Sequence, residues 1–161
     1  FGPIEVNTLL GNLTATNQFQ PMVISDVRGT VTVENANSQI DVSNIKGGLF
    51  ATNKFGQIQA EDLGGPFKLI NENGGVMVIL TDRFKGNSSI NTTFGTIDIT
   101  LPTTSNLLLK AKTSWGDILS DLPLTIDEFV GGKIGALRLG KGLDSLSLIT
   151  TNASINISGG R

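Results

Sequence analysis

Short apolar triplets recur through this chain at a fixed interval, and this periodicity constrains the fold more than any other feature. Triplets with apolar first and third residues begin at positions 31, 49 and 67, and each is followed 9 residues later by another, at 40, 58 and 76. The full repeat is therefore 18 residues long. Because side chains alternate between the two faces of a strand, each triplet directs both apolar side chains to one side. The pattern predicts two short strands per repeat.

The repeat extends across almost the whole chain. Paired triplets also begin at 13 and 22, at 88 and 97, at 109 and 118, and at 146 and 155, with a single triplet at 4. Two of these are incomplete, because positions 88 and 120 hold serine. After position 67 the interval lengthens from 18 to 21 residues, which predicts loop insertions near 81–83 and 102–104. Repeats that each bury one face against their neighbours are the signature of a solenoid. We therefore predict an all-β protein in which residues 1–161 form one β-solenoid domain, with two main strands per coil and each coil stacked on the one before it.

Asparagine marks one corner of the early coils. Asn17, Asn35, Asn53 and Asn71 each stand four residues after the start of a first triplet, and the later coils have threonine there. Successive coils in a stack lie one strand spacing apart, about 4.8 Å. At that distance the amides are predicted to form a structural ladder, bonded either to one another or to the turn backbone.

Aromatic residues recur two positions further on, at the same corner. They are Phe19, Phe55, Phe94 and Trp115. We predict that these rings form a corner stack belonging to the core, with Phe94 above Trp115, because a fixed offset within a repeat is typical of structural positions. The alternative is a platform for sugar rings on the surface. The two interpretations differ in how much of each ring is exposed.

The repeat pattern loosens between residues 122 and 142. Pro123, a short mixed segment and three glycines predict an irregular excursion at about 123–136, either a decorated loop or the segment that carries binding determinants. The triplet at 137–139 lies 9 residues before Leu146 and is predicted to resume the coil. Neither residues 1–6 nor residues 155–161 resemble a helical or charged cap. This predicts open strand edges, explained by neighbouring sequence or by end-to-end stacking of chains.

Composition argues against a catalytic or metal-binding role. The chain has no cysteine and no histidine, so nucleophile systems and zinc sites built on those residues are excluded. No catalytic residue, cofactor or metal is predicted. Carboxylates such as Asp98, Asp117 and Asp121 would allow glycoside hydrolysis by a pair of acids, but their scatter is typical of solvated surface charge.

The charge pattern also limits the partners. Net charge is -2, only 16% of residues are charged, and like charges form no run. Nucleic acid and anionic membrane surfaces are therefore not expected partners. Apolar runs are also too short to insert this segment into a membrane.

Three segments resemble a known family. They read Val-Arg-Gly-Thr-Val-Thr-Val at 27–33, Phe-Gly-Thr-Ile-Asp-Ile at 94–99 and Trp-Gly-Asp-Ile at 115–118. With the closing segment, from Gly131-Gly132 through Ile157, they are similar to the bacterial adhesin-like family of β-strand-repeat proteins, although Ala153 and Ser154 stand where that family usually has Gly and Asp. The resemblance implies a right-handed single-stranded β-helix outside the cytoplasm, at the cell surface or secreted. It implies no catalytic or ligand-binding residues.

These observations favour a non-enzymatic scaffold. We expect an adhesin-like surface module whose partner is another copy of the chain or another cell-surface macromolecule. The candidate contact surface consists of outward apolar residues, namely Val23, Phe50, Met77, Leu119 and Phe129. The alternative from a different class is a carbohydrate-binding or polysaccharide-cleaving β-helix protein.

Overall fold

The computed structural model describes residues 2–160, and within that range the chain forms seventeen β-strands and no helix. The strands are β1 Ile4–Leu9, β2 Leu13–Thr16, β3 Met22–Val27, β4 Val31–Glu34, β5 Ile40–Ile45, β6 Leu49–Asn53, β7 Ile58–Leu63, β8 Phe67–Asn71, β9 Val76–Ile79, β10 Asn87–Thr92, β11 Ile97–Pro102, β12 Leu107–Ser114, β13 Ile118–Ser120, β14 Thr125–Phe129, β15 Gly132–Arg138, β16 Asp144–Thr150 and β17 Ile155–Gly160. The all-β prediction is confirmed.

The strands form two sheets that enclose one core. The first sheet has the order β1-β3-β5-β7-β9-β11-β17-β13, and the second, from the same end, has the order β2-β4-β6-β8-β10-β16-β12-β15-β14. Successive triplets pair in parallel at the predicted register, so that Val31 lies opposite Leu49 and Leu49 opposite Phe67. These three side chains are at most 1% exposed. Two mainly parallel sheets with this repeat are consistent with a β-solenoid.

Residues in the left-handed region shape the corner that follows each early strand of the first sheet. Thr8, Asp26, Asn44 and Asp62 have φ values of 64°, 56°, 51° and 52°. Asn and Asp tolerate this conformation better than most residues. The positive φ interrupts the alternation of side chains along the strand. The next residue therefore points into the core, as the fully buried Val27 does. The side chains also bond along the column, as where Asn44 donates to Asp26.

The last two strands of the chain do not lie at the end of the stack. β16 lies between β10 and β12, and β17 lies between β11 and β13. Leu146 is therefore flanked by Ser88 on one side and by Leu109 on the other. The prediction that every coil stacks on the one before it is wrong for this inserted pair, β16 and β17. The neighbours of a strand depend on long-range pairing, which a local triplet pattern does not encode.

The predicted excursion is a regular antiparallel hairpin. β14 and β15 pair with each other, and β15 pairs antiparallel with β12, placing Leu137 opposite Leu109. The prediction that residues 137–139 resume the coil is therefore wrong. The hairpin covers the β12 edge of the second sheet, and Leu122 and Leu124 pack against the core beside it. The open edge at this end of the second sheet is therefore β14, whereas residues 155–160, expected to form an open edge, are an internal strand of the first sheet.

Candidate functional site

The asparagine ladder is a structural feature of the corner where the second sheet passes to the first. Asn35, Asn53 and Asn71 are each 1% exposed. Their amide nitrogens donate to backbone carbonyls of the preceding corner, as Asn53 Nδ2 does to Ser38 O at 2.7 Å. Asn17 makes the same kind of bond to Gly2 O. The amides therefore bond to the turn backbone rather than to one another.

Replacing Asn53 by alanine is expected to lower the free energy of unfolding by about 1–3 kcal/mol, because two backbone groups lose their partners in partly buried hydrogen bonds. Asn53 Nδ2 serves Ser38 O, and Lys54 N donates to Asn53 Oδ1 at 2.9 Å. Thermal and urea unfolding would measure the change. The exposed Thr52, on the same strand, is the control, with an expected effect of Thr52→Ala within about 0.5 kcal/mol. Equal stability of the two variants would contradict a structural role for the ladder.

The aromatic residues at this corner are exposed, so the prediction that they belong to the core is wrong. Phe19, Phe55, Phe94 and Trp115 are 58%, 60%, 61% and 75% exposed. Phe94 and Trp115 do not stack, because the inserted strand β16 separates their strands and brings Asn152 between them. The cause is geometric. The Asn side chain turns inward at each corner, and the residue two positions later points to solvent.

These aromatic residues belong to a regular surface feature, which we name the corner stripe. In the order of the strands in the second sheet it consists of Phe19, Asn37, Phe55, Asn73, Phe94, Asn152 and Trp115. All seven residues are exposed, and aromatic rings alternate strictly with asparagine. The alternation is complete only because the inserted strand supplies Asn152.

Backbone hydrogen bonds fix the spacing of the corner stripe. Phe55 N donates to Ala36 O, Asn73 N to Lys54 O, and Phe94 N to Glu72 O, at 2.8–3.1 Å. Asn152 N donates to Thr93 O at 2.9 Å. The pairing of β2 with β4 and of β16 with β12 supplies the two end steps. Successive stripe residues are thus one strand spacing apart, and the aromatic rings recur about every 9.6 Å. The full stripe is about 29 Å long, since it crosses six such spacings.

A shallow, open cleft lies at the Trp115 end of the stripe. The ring of Trp115 lies against Gly131, and Trp115 N donates to Gly131 O at 3.1 Å. The φ of Trp115 is 68°, a strained value for a bulky residue. The rest of the cleft is lined by Gly116, Asp117, Glu128, Phe129, Gly132 and Lys133.

One lysine joins the two carboxylates of this cleft. Lys133 Nζ lies 2.8 Å from Asp117 Oδ1 and 2.9 Å from Glu128 Oε1. Hydrogen bonds to Asp117 and then Glu128 raise the pKa of Lys133 from its ordinary value of 10.5 to about 12. The lysine is therefore cationic at any physiological pH. It ties the start of β13 to the hairpin β14–β15.

The five residues predicted as a contact surface do not form one patch. Val23, Met77 and Leu119 share an outward column of the first sheet, but polar or charged residues occupy the strands between them. Phe50 lies on β6 of the second sheet, and Phe129 lies at the end of β14. Only Phe129 lies near other candidate residues, because it lines the cleft beside Trp115.

Two features of the structure were not predicted from the sequence. One is the column of residues with positive φ in the first sheet. Its members Asp26, Asn44 and Asp62 recur at the same 18-residue interval as the triplets, so the interval could have identified them. The other is the ion pair network of Lys133, for which no sequence signal exists, because it depends on the antiparallel hairpin.

The structure and the comparisons add three further findings. Within residues 2–160 no three His, Cys, Asp or Glu side chains are grouped as a metal site would require. That same part of the chain also contains no helix of the length and apolarity needed to cross a membrane. Comparison with protein-family models, with curated proteins and with solved structures finds no significant match.

Proposed function

We propose that this chain is a non-enzymatic, adhesin-like surface scaffold whose corner stripe binds an extended polysaccharide. The proposal includes the finer fold, a right-handed single-stranded β-helix with about 18–21 residues per coil, and a location outside the cytoplasm. The sequence resemblance and the 18-residue register support these parts. Polysaccharides of cell surfaces and matrices are the macromolecules that such a scaffold would meet there.

The observation that carries the proposal is the exposure of the corner stripe. Four large rings, between 58% and 75% exposed, stand in one row along the corner that follows the strands of the second sheet. Single exposed apolar residues are common, but ordered rows of rings are typical of ligand-binding surfaces. A ring face packs on the C–H face of a sugar, and the asparagines between the rings both donate to and accept from hydroxyl groups.

Cleavage of the polysaccharide is the less favoured form of this function. At the Trp115 end of the stripe the carboxylates are Asp117 and Glu128, and both are ion-paired with the same Lys133 ammonium. A glycosidase of the usual kind needs one carboxyl group that is protonated and free to donate. The arrangement at Lys133 supports binding without hydrolysis.

The proposal predicts that the stripe aromatic residues control retention by polysaccharides in native affinity gels. The gels would contain hydroxyethyl cellulose, galactomannan, β-1,3-glucan, soluble starch or alginate. The wild-type chain is expected to be retarded in at least one of them. Phe55→Ala combined with Phe94→Ala should weaken that interaction about tenfold or more, because two stacking surfaces are lost.

Phe50→Ala is the matched control. Phe50 is also an exposed phenylalanine, but it lies on β6 and outside the stripe, so its loss should leave retention unchanged. Circular dichroism would verify that all variants are folded. Mobility that is unaffected by every polysaccharide, or an equal effect of Phe50→Ala and the double variant, would contradict glycan binding by the stripe.

Self-association is the second form of scaffold function, and the outer strand β14 favours it. All five residues of β14 are exposed at the edge of the second sheet, and Val130 follows them fully exposed. Unpaired edges of this kind serve as templates for further strands. The mass in solution over a range of concentrations separates the two forms, because glycan binding by the stripe does not require a dimer.

A further inference from the structure

We propose that the ligand of the corner stripe is a neutral, β-1,4-linked glycan in its extended form. It lies along the stripe, across the strands in the order in which they pair. This inference rests on the proposed function and names its ligand class. It follows from the period of the stripe, which is two strand spacings, and from the residues that flank it.

The period matches the symmetry of such a glycan. In an extended β-1,4-linked chain each pyranose ring is turned over relative to the one before it, so the same ring face recurs at every second sugar. Each sugar also advances by nearly one strand spacing. On the corner stripe, aromatic residues stand at every second strand, about 9.6 Å apart, as at Phe55 and Phe94. One ring can therefore stack on each sugar that presents its apolar face.

The asparagines match the intervening sugars. Asn37, Asn73 and Asn152 are exposed and stand midway between successive aromatic residues. An amide side chain offers two N–H donors and one carbonyl acceptor, which suits the hydroxyl groups of a sugar turned the other way. Chains with α-1,4 or β-1,3 linkages coil, so they do not present the same ring face at every second strand across six strand spacings.

The flanks of the stripe indicate a neutral ligand. The positions directly before and two after each stripe residue are mostly uncharged polar side chains, such as Gln18, Gln39, Gln57, Thr93 and Thr151. Lys54 and Glu72, which carry opposite charges, directly follow the paired strands β6 and β8. A polyuronate would need a row of cations, as phosphate and carboxylate sites do, and this edge has none among the described residues.

Trp115 marks the end of the stripe at which a chain is held most firmly. Its φ of 68° holds the largest ring of the row outward at 75% exposure. Backbone strain of this kind clusters at ligand-binding positions. Trp115 should therefore contribute more to affinity than Phe19 at the opposite end.

Titration calorimetry with six-sugar oligosaccharides tests the inference. Cellohexaose or mannohexaose is expected to bind, and maltohexaose and laminarihexaose should bind at least about tenfold more weakly. The decisive variant exchanges two residues, Phe55→Asn with Asn73→Phe, which keeps the composition and the number of exposed rings but breaks the two-strand period. It should bind cellohexaose at least about tenfold more weakly than the wild type.

The outcomes separate the inference from the function on which it rests. Equal binding of maltohexaose and cellohexaose, or full affinity in the exchanged variant, would overturn the β-1,4 inference and leave glycan binding in place. Binding to alginate alone would overturn the neutral ligand in the same way. Failure of every glycan to bind, with the protein folded by circular dichroism, would overturn the proposed function itself. Trp115→Ala with weakened binding beside an unaffected Phe19→Ala would support the inference.

Discussion

Removal of residues 143–161 is expected to unfold the C-terminal half of the protein rather than to shorten it by one repeat. In a solenoid stacked in chain order, loss of the last coil removes one interface. Here the truncation removes β16 and β17, which are internal strands of the two sheets. Without β16, β10 and β12 would lose the strand that both of them pair with. Without β17, the same would hold for β11 and β13.

The buried side chains set the expected magnitude. Leu146, Leu148, Ile155 and Ile157 are all at most 1% exposed. Loss of one buried leucine or isoleucine side chain typically costs about 2–5 kcal/mol. The four together reach the whole stability of an ordinary domain, about 5–15 kcal/mol. We therefore expect the truncated chain to lose cooperative unfolding in this half.

Hydrogen exchange would measure this result by region. In the chain 1–142, amides of β10 to β15 are expected to exchange rapidly, and those of β3 to β8 should stay protected. The control is a chain beginning at residue 21, which lacks only the outer strands β1 and β2, with their partly buried Ile4 and Leu13. It should remain protected throughout. Protection of all the strands from β10 to β15 in the chain 1–142 would overturn this expectation, and the inserted pair would then be dispensable.

The repeat was predictable because it is local. Apolar alternation identified the strands from β1 to β13, and constant spacing identified their register, as in the pairing of Ile40 with Ile58. The two three-residue insertions also lie in loops, at 80–86 and 103–106. The second loop connects β11 to β12. Because β16 lies between β10 and β12 in the second sheet, this loop must cross two strand spacings instead of one. Three extended residues span about 10 Å.

The inserted pair was not predictable because its triplets look like all the others. Leu146 and Leu148 match the pattern of Leu109 and Ala111, but their neighbours include Ser88 and Ile90, which are 58 positions earlier in the chain. Nothing in a triplet specifies which open edge it will occupy. The hairpin β14–β15 covers the far side of β12 and leaves the gap between β10 and β12 as the place for β16.

The candidate site was only half predictable. The shared offset of Phe55 and Phe94 identified a corner, but both buried and exposed corner residues keep a fixed offset. The signal that would have decided the exposure was also in the sequence: Asn37 and Asn73 occupy the same offset. A position that accepts asparagine and phenylalanine in turn is more easily explained on the surface than in a core. The strict alternation, however, required the inserted strand and its Asn152.

Gly65→Ala is expected to destabilise the protein by about 3 kcal/mol or more, the upper end of the usual cost of overpacking. Gly29, Gly47 and Gly65 stack at one corner, two residues before successive first triplets. A Cβ on Gly65 would overlap the carbonyl oxygen of Gly47, a backbone atom that cannot rotate away. None of the three has a positive φ, so close approach of the backbones, rather than conformational freedom, requires glycine here.

The neighbouring Gly64 provides the matched control for this prediction. A Cβ at Gly64 would lie 3.4 Å from its nearest neighbour, an ordinary contact. Gly64→Ala should therefore change stability by at most about 1 kcal/mol in either direction. For a chain of this size the loss at Gly65 corresponds to a melting temperature lower by about 10 °C. If the two alanine variants have the same melting temperature, the corner at Gly65 can accommodate a Cβ atom. Close approach of the backbones would then not set the spacing of the corner stripe.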